Sequence, residues 1–112
     1  MPQQLSFRSD RVNELIKREL TMLLSTGTKD PRLKNVVITD VIVSRDLTSA
    51  RVFFSVEEDE HKKIAQLLNK AGGFFRFSLS KSLDLRHTPS LSFIYDTAPN
   101  TGARMDDLLS KL

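Results

Sequence analysis

Cysteine is missing from this 112-residue chain, which removes disulfides, thiolate metal sites and cysteine nucleophiles together and fits a reducing compartment. No run of about 18 consecutive apolar residues exists, so no membrane-spanning helix is expected. The first ten residues lack the apolar stretch of a signal peptide, and the chain reads as cytosolic. Tryptophan is absent and tyrosine occurs once against seven phenylalanines, so buried rings bring few polar handles. The two histidines, His61 and His87, are far apart in the chain, and no His-Glu-x-x-His, Walker or nucleophile-elbow pattern accompanies them. Asp40 and Asp46 lie on or beside a hairpin without a third partner. An enzyme is not expected.

What is present suits one soluble α+β domain, with a core over about residues 8–96 and a short tail over about 97–112. Apolar residues make up 39% and charged residues 28% of the chain, proportions of an ordinary globular protein. The net charge of +3 is modest, but it is unevenly placed. Residues 1–34 hold seven Lys or Arg against four acids, residues 35–60 two against six, residues 61–90 six against one, and residues 91–112 two against three. A folded domain with this asymmetry can turn a basic face to a polyanion.

Val12, Leu15, Ile16, Leu20, Leu23 and Leu24 recur at helical spacing, which predicts a helix over residues 10–24 with Ser9 or Asp10 as its cap. Ser25, Thr26, Gly27 and Thr28 supply its stop, and Asp30-Pro31 marks a turn. Residues 36–43 and 51–56 are rich in β-branched side chains and read as a hairpin. In that strand pattern Val37, Thr39, Val41 and Val43 share one face, and Val36, Ile38, Asp40 and Ile42 the other. The acidic run 57–60 suits the start of a helix over residues 59–70. Ala71-Gly72-Gly73 then predicts a kink, because adjacent glycines disfavour a continuous helix. Beyond it, Phe75, Phe77, Leu79, Leu83 and Leu85 alternate with polar residues as in a strand, while Phe75, Leu79 and Leu83 fit a helix with Arg76, Ser80, Phe77 and Lys81 outward. Periodicity leaves both open. Leu91, Phe93 and Tyr95 predict a last strand, and Met105, Leu108, Leu109 and Leu112 a short C-terminal helix.

The candidate chemistry is therefore electrostatic. A kinked helix brings Lys70, Arg76 and Lys81 near one another, and Arg86 and His87 lead into the last strand, so these five could hold phosphates or simply form a solvated face. Arg8 and Arg11 near the first helix start are a second candidate group, with pairing to Asp10 or Glu14 as the alternative. Gly72 and Gly73 are expected to let two helices pack at an angle rather than to admit RNA. Phe74 and Phe77 could stack on bases, but core positions are expected for them.

A set of residues over nearly the whole chain resembles the ribosome-binding factor A family. It comprises Arg8, Arg11-Val12, Glu19-Leu20, Lys29-Asp30-Pro31-Arg32, Val41, Ser44, Asp46-Leu47, Ala50, Val52, Ser55-Val56, Leu68, Ala71-Gly72-Gly73, Phe75-Arg76, Leu79, Lys81, Leu83, Leu85-Arg86, Pro89, Leu91 and Phe93. No single match is specific; their order and spacing are. The resemblance implies a KH-like fold of the second type, α-β-β-α-kink-α-β, with a three-stranded mixed sheet packed by helices on one side. It favours a helix over residues 75–83. It also implies binding to the immature small (30S) ribosomal subunit and its 16S rRNA, promotion of late maturation and rRNA processing, growth in the cold, a monomer, and no cofactor. The alternative is a protein-interaction module for a ribosomal protein or another assembly factor. Two departures stand out. The Gly-x-x-Gly loop of ordinary KH domains is not formed, since Phe74 follows Gly73, and Ser82 and Asp84 stand where relatives are often basic. Weight thus shifts to Lys70, Arg76, Lys81, Arg86 and His87.

Overall fold

Ile16, Leu20 and Leu24 recur every fourth residue, and all three are fully buried along one stripe of the first helix. The structure, a computed structural model, describes residues 2–56, 61–85 and 87–97, with side chains from residue 10 onward. Helix α1 runs Pro2–Met22, eight residues earlier than apolar spacing predicts. Ser9 and Asp10 therefore lie inside it and do not cap it. The periodic pattern marks only the stretch that packs, while proline is compatible with a first helical position because its missing N–H would be unpaired there anyway. A π-helical turn, Leu23–Gly27, ends α1. There the Thr26 hydroxyl donates to the Met22 carbonyl at 2.8 Å. Asp30, in extended backbone, then caps the 3-10 turn Pro31–Asn35 by accepting from the Arg32 N–H at 3.0 Å.

Strands β1, Val37–Val43, and β2, Ser49–Ser55, form the predicted antiparallel hairpin. A register shift between Ile38 and Asp40 alters which side chains share a face. Ile38, Val41 and Val43 are buried while Val37 is exposed, so the simple alternation fails at Thr39. One extra residue in a strand reverses the facing of everything before it. In the connecting turn Leu47 holds φ at 63°, a left-handed conformation that costs a non-glycine residue about 1–2 kcal/mol. Its side chain packs against the core. Asp46 fixes the same turn by accepting from the Ser44 hydroxyl at 2.7 Å and from the Thr48 hydroxyl at 2.8 Å.

Helix α2, His61–Lys70, and helix α3, Gly72–Ser82, follow, which settles the ambiguous segment as a helix. The acidic run 57–60 and the expected C-terminal helix lie outside the described residues. Strand β3, Ser90–Tyr95, lies parallel to β2, giving a mixed sheet of order β1-β2-β3. Ile64, Leu68, Phe75 and Leu79 from the helix pair meet α1, Val41, Val52, Phe54 and Phe93 in one apolar cluster. Fully burying a side chain such as Phe54 is worth about 1.5–3 kcal/mol.

Side chains take some of the outward backbone groups at both sheet edges. On the outer side of β1 the Val43 N–H donates to Asn13 Oδ1 at 3.0 Å and the Val41 N–H to Asp40 Oδ1 at 2.9 Å. On the outer side of β3 the Asn69 amide takes both backbone groups of one residue. The Phe93 N–H donates to Asn69 Oδ1 at 2.8 Å, and Asn69 Nδ2 donates to the Phe93 carbonyl at 3.0 Å.

Candidate nucleic-acid interface

The bend between α2 and α3 falls on Ala71, at φ −89° and ψ 8°. Ala71 closes one helix and opens the next: its N–H reaches the Leu67 carbonyl at 3.0 Å and its carbonyl accepts from the Phe75 N–H at 3.1 Å, while Ala71 itself belongs to neither helix. Neither following glycine is demanded by close packing. A methyl group on Gly72 would lie 3.8 Å from the Leu91 carbonyl oxygen, an ordinary contact, and one on Gly73 would meet nothing within 4 Å. The expectation that these glycines allow tight angled packing is thus not met, because the turn is made by the alanine before them.

Helices α2 and α3, from His61 to Ser82, carry Lys62, Lys63, Lys70, Arg76 and Lys81 and no acidic residue. Among the described residues none of Lys70, Arg76 and Lys81 is in an ion pair with a carboxylate, and all three are exposed. Their directions differ. Arg76 and Lys81 are five positions apart, which separates them by about 140° around a helix. The Arg76 guanidinium turns towards β3, where Nε donates to the Thr88 carbonyl at 3.0 Å. Exposed His87 lies in that same connection. Lys81 turns the other way and sets its Nζ 5.3 Å from the centroid of the Phe77 ring, within the range of a cation–π contact. The helix pair therefore presents cations along two borders, with Lys70 at the end of α2. Arg11 is exposed on α1, a separate element, and shares its helix face with Glu14 and Arg18. Arg86 and the side chain of Arg8 lie outside the described residues.

For the aromatic residues of α3 the structure corrects one expectation. Phe74 and Phe77 are not in the core; they are 51% and 61% exposed. Phe75 and Leu79 occupy the inward stripe of α3, so positions one turn apart on its other side face out. The ring of Phe74 meets Phe75 edge-on at 5.5 Å. Sequence reasoning also missed Asn69, whose partner is 24 residues away and leaves no local signal. Among the described residues no group of three or more His, Asp or Glu could hold a metal ion, and no helix is long and apolar enough to cross a membrane.

Comparison with known proteins gives this arrangement a family. A protein of Vesicomyosocius okutanii subsp. Calyptogena okutanii (strain HA) named ribosome-binding factor A is 62% identical over 110 residues, covering 98% of this chain and 96% of the relative. The crystal structure of ribosome-binding factor A from Thermus thermophilus superposes with a TM-score of 0.72 at 22% identity, over 80% of this chain and 98% of the other. A Thermus thermophilus ribosome binding factor A homology model, fitted into a cryo-electron microscopy map of a 30S complex, superposes with a TM-score of 0.63 at 23% identity, over 78% and 94% of the two chains. These two likenesses confirm the KH-like fold. The family model described as Ribosome-binding factor A matches residues 8–109, and on that match and the 62% relative the chain belongs to the ribosome-binding factor A family.

Proposed function

We propose that this chain is a non-catalytic assembly factor that docks the basic α2–α3 face on the 16S rRNA of the immature small ribosomal subunit and promotes its late maturation. One observation carries the reading. Two helices braced on β3 display exposed cations, with no acid on either helix and, among the described residues, no carboxylate in an ion pair with Lys70, Arg76 or Lys81. The relative fitted in a 30S complex supports the choice of partner. Lys70, Arg76 and Lys81, with Arg86 and His87 a few residues before β3 in the chain, hold phosphates; Arg8 and Arg11 add a second contact. The protein works as a monomer of one domain in the cytoplasm, without a cofactor.

Docking of a partner protein by strand addition is disfavoured, because Asn13, Asp40 and Asn69 already occupy outer-edge backbone groups of β1 and β3. Phosphate binding makes affinity fall with salt in proportion to the contacts made. Replacing Lys70, Arg76 and Lys81 together by Gln is expected to reduce the slope of log affinity against log salt by about 2 to 3 units on immature small subunits, with circular dichroism unchanged. An unaltered slope rejects this face.

A further inference from the structure

Phe74 and Phe77 are the only exposed phenylalanines among the described side chains, and both lie on the side of α3 that carries exposed Lys81. On α3 each is one turn from the next member of a stripe that runs Phe74, Phe77, Lys81, spanning an arc of about 60°. Lys81 lies against the Phe77 ring, and the edge-on contact with Phe75 fixes the ring of Phe74. The stripe thus sets two flat apolar faces beside a cation.

A partner that covered it with an apolar helix would have to strip water from the Lys81 ammonium without replacing it. An acidic peptide would pair with the lysines and leave the ring faces unused. A single strand of nucleic acid offers planar bases and anionic phosphates in alternation, which satisfies both kinds of group at once. We propose that Phe74 and Phe77, flanked by Lys81, form a platform on which unpaired bases of the small-subunit rRNA stack. This rests on the proposed rRNA binding and adds base contacts to a face otherwise holding phosphates. It also supplies a grip on single strands where the Gly-x-x-Gly clamp is not formed.

The test uses the full chain and deproteinised small-subunit rRNA. Phe77→Leu keeps an apolar side chain at an exposed position but removes the ring, so its thermal midpoint stays at the wild-type value while affinity falls about tenfold and the salt slope is unchanged. Lys81→Gln instead lowers the slope by about one unit. Phe77→Trp provides the molecule's sole indole, since the chain has no tryptophan; it retains affinity, and its fluorescence is quenched when the RNA binds. Wild-type affinity in Phe77→Leu together with an unquenched indole overturns the platform while leaving the rRNA reading in place. Equal binding of naked rRNA but weakened binding of whole subunits by Phe77→Leu overturns it in favour of a ribosomal protein at this surface. Failure of the unaltered protein to bind naked rRNA brings down both.

Discussion

One amide, that of Asn69, ties the helix pair to the edge of the sheet by taking the N–H and C=O of Phe93 together. Losing a partner for a buried backbone group costs about 1–3 kcal/mol. Asn69→Ala is therefore expected to lower the thermal midpoint by several degrees and to speed hydrogen exchange at the Phe93 amide, with other β3 amides less affected. Asn69→Asp restores little, because a carboxylate can accept from the N–H but repels the carbonyl. Nothing in the sequence marks this residue. Asparagine is common on helix surfaces, and what distinguishes Asn69 is a strand that arrives 24 residues later. Asn13, bonded to Val43 across 30 residues, was hidden for the same reason. By contrast the turn at Asp30-Pro31 was legible, since a proline that restricts the residue before it is a local fact.

Elements were legible where one period dominated. Helix α1 and the hairpin could be placed from spacing and β-branching alone. Helix α3 could not, because Phe75, Phe77, Leu79 and Leu83 satisfy periods of two and of four at once; family resemblance decided what periodicity left tied. The error at Phe74 and Phe77 has a related cause. A hydrophobic side chain is assigned inward by default, yet Phe74, Phe75 and Phe77, spread over four successive helical positions, cannot all face one way. The bulge at Thr39 was invisible because it depends on pairing with β2. The kink fell within Ala71-Gly72-Gly73 as read, on its first residue, although the reasoning had rested on the glycines. Gly73→Ala should consequently raise stability by about 0.4–1 kcal/mol through the unfolded chain, since a methyl group there meets nothing. A higher midpoint in chemical denaturation checks this, and a lower one would show that the backbone at Gly73 needs its freedom.

Across the molecule, the segregation of charge was plain in the sequence, and its display was not. Counting located the cations; only the fold showed Arg76 and Lys81 leaving α3 on different sides. The acids that matter for stability lie elsewhere. Asp30 is held below the ordinary 3.8 chiefly by hydrogen bonds from the Arg32 side chain, and Asp46 chiefly by the Ser44 hydroxyl and then Thr48. A carboxyl lowered by folding contributes stability above its unfolded value, and that contribution disappears as pH falls through the folded one. Melting temperature is therefore expected to hold steady from neutrality to about pH 4 as far as these two groups are concerned, and to drop below it. In Asp46→Asn the midpoint is lower at neutral pH, and the gap from wild type narrows in acid. A constant gap would assign the loss to something other than ionisation.

The elbow at Ala71 has a mechanical consequence. Ala71 bonds to the helix on either side of it, and two bonds from Asn69 and one from Arg76 moor those helices to β3 and the loop leading in. The angle of the joint is thus held from both helices. On the proposed RNA contact, the angle between the two helices then sets the shape of the docking surface, and strands already bent to suit it are captured first.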